Sequence, residues 1–112
     1  MLTRVYAIHI ENNEPQTDRL VIVASIDADG AISDGECYGF VVDDGKDRYP
    51  FIAESQGADL ILDYGAYGED EEEGRLNLVG KRLRVGDTFT RVAKIRGDPQ
   101  TYEYTYRVES IT

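Results

Sequence analysis

The sequence predicts an all-β protein, a small antiparallel β-barrel or β-sandwich of about seven to eight short strands ending in a long C-terminal hairpin. Apolar runs of strand length recur along the chain, separated by turn-forming residues at intervals of roughly eight to twelve residues. In the clearest of these runs, β-branched and aromatic residues outnumber helix formers. The chain has 112 residues, which is enough for one hydrophobic core but too few for two. We therefore expect a single all-β domain over residues 1–112, with at most one short helix.

The C-terminal hairpin, residues 88–112, is the most strongly patterned element. Its second strand alternates polar residues with an apolar face that consists of Tyr102, Tyr104, Tyr106 and Val108. Its first strand carries Phe89, Ala93 and Ile95 on one face, where Arg91 is an intruder. The segment Gly-Asp-Pro-Gln at 97–100 has the turn chemistry to reverse the chain. Because the alternation slips near residues 109–110, we expect a β-bulge there that returns Ile111 to the inner face.

The first half of the chain supplies four further strands. An opening strand over residues 2–10 places Leu2, Tyr6, Ile8 and Ile10 on one face. After a polar loop at 11–16, the run 20–26 is apolar on both faces, which predicts a central position in its sheet. A connector at 27–36 then leads to strands over 37–42 and 48–53, joined by a turn at 43–46. Pro50 favours an edge position for the last of these strands, because proline cannot donate a backbone hydrogen bond.

The pattern between residues 55 and 88 leaves one choice open. Residues 55–64 fit either a short helix or a loop followed by a strand at 60–62. Residues 65–74 include five successive acidic residues, whose mutual repulsion predicts a solvated, mobile loop tip. Short strands at 76–79 and 82–85 then precede a tight turn at 85–88. The cadence of residues 83–89 is one common in small Greek-key barrels.

The charge is strongly acidic and unevenly distributed. With 22 acidic and 12 basic residues the formal net charge is −10, which favours solubility and disfavours binding to nucleic acid or anionic membranes. Residues 1–74 hold 18 of the 22 acidic residues and only 4 of the 12 basic ones. The two halves either interleave in the fold and neutralise each other, or leave a dipolar surface that orients a charged partner.

These features favour a non-enzymatic binding module of the inhibitor, immunity or adaptor type, with a basic protein surface as its partner. The carboxylates expected to meet the partner's lysines and arginines are Asp43, Asp44, Asp47, Glu69, Asp70, Glu71, Glu72 and Glu73. Such contacts contribute more to association rate and specificity than to affinity. One version is an inhibitor that covers the basic active site of a nuclease. A free edge of the C-terminal hairpin would also allow a homodimer by strand pairing.

Residues 25–36 (SIDADGAISDGE) offer an alternative function, calcium binding. Aligned with a twelve-residue calcium loop, they place Asp27, Asp29 and Glu36 at positions 3, 5 and 12, around Gly30 at position 6. Calcium requires several hard oxygen ligands around such a sharp turn. However, Ser25 stands where the pattern has Asp, and both flanks are predicted strands rather than helices. The competing interpretation is a plain β-connection in which the two aspartates bind backbone groups of the turn.

A second alternative is nucleic-acid binding by the C-terminal hairpin. Its tyrosines have the spacing of a base-stacking platform, and phosphate contacts would come from Lys81, Arg82, Arg84, Arg91, Lys94 and Arg96. The same tyrosine face is also the only plausible core face of the strand, so core packing is the competing interpretation. The glycines follow neither of the two patterns of a phosphate-binding loop, GxGxxG and GxxxxGK(S/T).

We expect no enzymatic activity and no resident cofactor other than the calcium considered above. The single cysteine, Cys37, and the single histidine, His9, carry no local catalytic signature, and no GxSxG segment is present. No apolar run approaches the ~20 residues of a membrane span, and the first ten residues lack a signal-peptide pattern. Together with the lone cysteine, which agrees with a reducing compartment, these features predict a cytoplasmic location.

Overall fold

The computed structural model describes residues 2–32, 36–65 and 71–112, and over these residues eight antiparallel strands close into one barrel. The strands are β1 (Leu2–Glu11), β2 (Glu14–Ser25), β3 (Glu36–Asp43), β4 (Asp47–Gln56), β5 (Asp59–Asp63), β6 (Glu71–Leu76), β7 (Thr88–Ile95) and β8 (Thr101–Ile111). The predicted all-β class is confirmed, and the described part of the chain contains no helix. Each strand pairs with the next, and β8 pairs with β1. The barrel is therefore of the up-and-down type. The Greek-key connection that the pattern of residues 83–89 suggested is not present in this strand order.

The C-terminal hairpin forms as predicted. Phe89 pairs with Tyr106 and Arg91 with Tyr104 across β7 and β8, and Gly97 takes a positive φ in the turn that joins them. The expected bulge is also present, because the β8 register against β1 slips by one residue at Glu109. This slip places Ile111 opposite Val5, where it packs against the core.

The inward faces of all eight strands contribute to one core. Its largest fully buried side chains are Tyr106, Phe89, Leu20, Ile22, Leu60, Leu76, Leu78, Val5 and Val108. Gly39 also faces inward, opposite Phe51, and its backbone lies so close to Val21 that a Cβ atom would stand 2.0 Å from the Val21 carbonyl oxygen. Glycine is therefore the residue that lets β2 and β3 approach here.

The apolar face that the sequence places on β1, with Leu2, Tyr6, Ile8 and Ile10, is not the core face. Val5 and Ala7 point into the core with at most 1 % of their surface exposed, whereas the even-numbered residues face outward. Ile8 is nevertheless buried, because it pairs with Arg19 on one side and Arg107 on the other. The alkyl stems of such long side chains cover apolar surface on the outside of a barrel. Apolar residues on both faces of β1 made the two faces hard to distinguish.

Several loop assignments also need correction. The polar loop at 11–16 is a two-residue turn, in which Asn12 and Asn13 take positive φ as a type I′ hairpin requires. Residues 59–63 form a strand, which decides the choice left open between helix and strand. Glu71, Glu72 and Glu73 begin β6 rather than lying in a loop. The expected strands at 76–79 and 82–85 are instead mostly a long connection with isolated bridges.

The two ends of the barrel differ. One end, which we call the base, is closed by residues 26–32 and 77–87, which bury Ile32, Leu78 and Leu83 in the core. A hydrogen bond of 2.9 Å from the backbone N–H of Leu83 to the carbonyl of Gly30 joins these two segments. The other end, which we call the turn end, carries the β1–β2, β3–β4 and β7–β8 turns, since strands of an up-and-down barrel alternate in direction.

Closure also changes two expectations about edges. β8 pairs with β1 along its second side, so the hairpin edge that a strand-paired homodimer needs is occupied. Pro50 pairs with Phe40 in β3, while the β4–β5 ladder begins only at Ile52. Among the described residues, Pro50 thus has a strand neighbour on one side only, as its lack of a donor requires.

No helix with the length and hydropathy of a membrane span occurs among the described residues.

Candidate partner-binding site

The predicted partner-binding carboxylates on β3 and β4 lie together at the turn end. Asp43 and Asp47 pair across the last rung of the β3–β4 hairpin, and Asp44 begins the turn between them. Asp44 and Gly45 take positive φ, at 52° and 69°, which lets the chain reverse within three residues. All three carboxylates are exposed.

The second predicted group begins at the same end. The first rungs of the β6–β7 ladder lie next to the β7–β8 turn. They pair Glu71 with Ile95 and Glu73 with Lys94. Glu72 lies between them in β6. Glu69 and Asp70 lie outside the described residues. The topology therefore brings the strand residues of both acidic groups to one end of the barrel.

A fourth carboxylate, Asp18 of β2, joins the hairpin group. Its Oδ1 accepts a hydrogen bond of 2.7 Å from the backbone N–H of Asp44, and the hydroxyl of Thr17 donates to Oδ1 of Asp44 at 3.1 Å. We call Asp18, Asp43, Asp44 and Asp47 the carboxylate cluster. Within the described part of the chain, none of these four forms an ion pair with a lysine or arginine.

In one member of the cluster, Asp43, the surroundings disfavour the charged form. The pKa of Asp43 is raised above its ordinary value, first by loss of hydration and then by repulsion from Asp18, Asp44 and Asp47. The positive charge of Arg91 opposes this shift without cancelling it. A group of carboxylates that repel one another without neutralisation produces a negative potential, which attracts cationic partners.

Arg91 lies inside the barrel, with only 8 % of its surface exposed. Its Nε donates to the hydroxyl oxygen of Tyr106 at 3.1 Å, and its Nη1 donates to that of Tyr64 at 3.5 Å. Its guanidinium carbon lies 4.5 Å from the centre of the Tyr104 ring, which is cation–π geometry. The aromatic hydroxyls and ring thus hold a buried positive charge that acts on Asp43 of the carboxylate cluster.

Tyr106, whose hydroxyl oxygen accepts from Arg91, is part of the same electrostatic arrangement. Burial raises the pKa of Tyr106, and the neighbouring positive charge of Arg91 partly opposes that rise. The negative charge of Asp18 raises the pKa of Tyr106 by a smaller amount, so one member of the cluster acts electrostatically on this core tyrosine. The ring of His9 packs at 5.8 Å from Tyr106 and at 5.7 Å from Tyr104.

Two members of this arrangement, Asp18 and Tyr64, were not predicted from the sequence. Asp18 belongs to β2 and reaches the hairpin only through the β2–β3 register, 26 residues away in the chain from Asp44. Tyr64 follows β5 and meets Arg91 only when the barrel closes. The one available signal was Arg91 itself, a charged residue on an otherwise apolar face, which indicates a buried polar partner.

In its described part, residues 25–32, the candidate calcium loop takes the geometry of the competing interpretation, and residues 33–35 lie outside the described residues. Oδ1 of Asp27 accepts backbone hydrogen bonds from Asp29 at 2.9 Å and from Ala31 at 3.1 Å, and Gly30 takes a φ of 83°. Glu36 belongs to β3, where it pairs with Glu54. Nε of Arg82 donates to the carbonyl of Asp29 at 2.7 Å, placing a cation against the loop. Among the described residues no group of three or more His, Cys, Asp and Glu is placed to hold a metal ion. Calcium binding by Asp27, Asp29 and Glu36 stays a prediction.

The basic residues of the C-terminal half do not form one surface. Tyr106 and Arg91 lie inside the barrel, and the Tyr102 hydroxyl donates to Asp98 at the β7–β8 turn. Lys81, Arg82 and Arg84 are in the base, while Lys94 and Arg96 are near the turn end. Nucleic-acid binding stays a prediction that these positions do not favour.

The two residues considered for cysteine chemistry occupy separate rungs of the barrel. His9 pairs with Tyr106, whereas Cys37 pairs with Ala53 and is buried in the core.

Comparisons of the chain with protein-family models, with curated proteins and with solved structures found no match.

Proposed function

We propose that this protein is a non-enzymatic binding module of the inhibitor, immunity or adaptor type, and that its turn end engages a basic protein surface. The observation that carries the proposal is the carboxylate cluster, four aspartates without a basic ion-pair partner among the described residues. The raised pKa of Asp43 supports it. Loss of hydration raises this pKa first and repulsion from the other three aspartates second, and a partner's lysines or arginines would relieve that repulsion.

The rigidity of the site suits a binding role. The β3–β4 hairpin is held by eight register pairs, and Asp18 and Thr17 attach its turn to β2 by hydrogen bonds. Carboxylates on a fixed scaffold lose little conformational freedom when a partner binds. Their main contribution is to the association rate and to the selection of a partner of opposite charge.

The test uses the tagged protein as bait in a lysate of its native host, at low and at high salt, with protein and nucleic acid in the eluate both identified. The bait is compared with a triple variant, Asp43→Asn, Asp44→Asn and Asp47→Asn. A control carries Asp29→Asn, Glu103→Gln and Glu109→Gln, which changes the net charge equally at exposed sites elsewhere. We expect a basic protein that the wild type and the control capture at low salt and the triple variant does not. Equal capture by all three baits, or nucleic acid as the main product, would overturn the proposal.

The acidic residues 69–73 have a separate test with the captured partner. If they contribute to steering, neutralising Glu69, Asp70, Glu71, Glu72 and Glu73 slows association and flattens its dependence on salt. Unchanged association kinetics would remove these residues from the site and leave the carboxylate cluster as its only acidic component.

A further inference from the structure

A groove on the outer wall of the barrel lies apart from the turn-end site. It runs between β4 and β5, has a volume of about 250 Å³, and is lined by Ile52, Glu54, Ile61 and Asp63. We call it the wall groove. The neighbouring positions on these strands, Phe51, Ala53, Leu60 and Leu62, are buried in the core, so the four lining residues face outward.

The strand register gives the wall groove an alternating chemistry. Ile52 pairs with Asp63, and Glu54 pairs with Ile61. The two isoleucines therefore stand on one diagonal and the two carboxylates on the other, and diagonal neighbours on a sheet lie ~7–8 Å apart. A single cation between the carboxylates would lie within reach of both.

The apolar part of the wall groove is open to solvent. Ile52 has 54 % of its surface exposed, and Tyr38, its partner in β3, has 53 % exposed. These are two of the most exposed large apolar side chains among the described residues. Exposed apolar residues that adjoin one another mark interaction surfaces more often than isolated ones do.

Both carboxylates are available to a partner. Oδ1 of Asp63 accepts the backbone N–H of Gly65 at 2.8 Å, which orients the carboxylate and leaves Oδ2 as an acceptor. Within the described residues neither Glu54 nor Asp63 forms an ion pair. On β6, Arg75 stands opposite Ile61, and its guanidinium is paired with Asp59 at 3.5 Å.

We propose that the wall groove binds an arginine side chain of the basic partner. Its volume is below the ~300–1,000 Å³ of pockets for small-molecule ligands and is suited to one side chain. The alkyl stem of an arginine would lie on Ile52 and Ile61, and the guanidinium, with five donors, would bridge Glu54 and Asp63. Tyr38 offers an adjacent face for stacking. A second copy of this chain suits the groove poorly, because each copy carries a net charge of −10.

This inference rests on the proposed function and adds a second contact to it. The test is a titration of the ¹⁵N-labelled protein with the peptide acetyl-Leu-Arg-Leu-amide, followed through backbone amide shifts. The matched peptide replaces arginine by citrulline, which keeps the shape and removes the charge. We expect saturable shifts at residues 52, 54, 61 and 63, with an affinity at least about fivefold weaker for the citrulline peptide.

Two variants separate the site from the overall charge. The double variant Glu54→Gln, Asp63→Asn should lower the affinity of the arginine peptide by the same factor. The double variant Glu103→Gln, Glu109→Gln, an equal charge change on β8, should leave this affinity unchanged. Shifts confined to residues 18 and 43–47 would overturn the wall groove and support the turn-end site. Shifts at the groove alone would support the groove and count against the carboxylate cluster. An absence of shifts at both places would overturn both proposals.

Discussion

Arg91 shows how one residue connects the core of this barrel to its candidate site. In the sequence it interrupts an apolar face, and in the structure it donates to the hydroxyl oxygens of Tyr106 and Tyr64 while its charge acts on Asp43. A buried guanidinium needs such partners, because a buried charge that loses its partner costs about 3–5 kcal/mol. The pattern alone indicated that Arg91 would need partners. The hairpin register already brings Tyr106 of β8 close to Arg91, but Tyr64, at the end of β5, meets Arg91 only after the barrel closes.

Asp43 provides the prediction at the residue scale. Its pKa is higher in the folded protein than in the unfolded chain, so its contribution to stability is fully present below the unfolded pKa of about 3.9 and is lost as pH rises through the folded pKa. At pH 7 the ionised carboxylate therefore opposes folding. Asp43→Asn should raise the melting temperature at pH 7, and this gain should disappear as the pH is lowered towards 3.

Calorimetry from pH 3 to pH 7 checks this prediction, with Glu109→Gln as an exposed control. Added salt should reduce the gain of Asp43→Asn at pH 7, because it screens the repulsion from the neighbouring aspartates. A variant that is less stable than the wild type at pH 7 and equal to it at pH 3 would show that Asp43 is stabilised in the fold, contrary to the direction of its pKa.

At the scale of elements, the C-terminal hairpin was predictable and the middle of the chain was not. The hairpin combines strict alternation, turn chemistry at 97–100 and a visible slip at Glu109, and each of these is a local signal. β6 has no such signal, because its acidic residues favour solvent and its strand pairing depends on β5 and β7. β1 is apolar on both faces, so only the closed barrel determines which face is inside.

Gly39 provides the prediction at this scale. Gly39→Ala would place a Cβ atom 2.0 Å from the Val21 carbonyl oxygen and 3.0 Å from the Phe51 ring, so β2 and β3 would have to separate. We expect a loss of about 3 kcal/mol in the free energy of unfolding, measured by urea denaturation. Gly57→Ala is the matched control, since its Cβ would meet open space and only its positive φ of 63° costs energy, about 1 kcal/mol. Equal losses for the two variants would contradict the close approach of β2 and β3.

At the scale of the whole molecule, closure determines how the charges are arranged. The basic C-terminal half forms most of β6 to β8 and closes the barrel between β5 and β1, where Arg75 pairs with Asp59 of the acidic half. Basic residues of this half occur at both the base and the turn end, which favours interleaving over a dipole along the barrel axis. The carboxylate cluster stands out against this mixed background because its members come from one hairpin and the strand beside it.

The central claim is that the carboxylate cluster, rather than the net charge, recognises a basic partner. The most direct measurement is the affinity of fluorescent nona-arginine, by anisotropy, for the wild type, for the triple variant Asp43→Asn, Asp44→Asn and Asp47→Asn, and for the charge-matched control Asp29→Asn, Glu103→Gln and Glu109→Gln. We predict that the triple variant binds about fivefold to tenfold more weakly than the wild type, and the control less than about twofold more weakly. Equal weakening of the two variants would show that the peptide responds to net charge alone, and it would contradict the assignment of the binding site to the turn end.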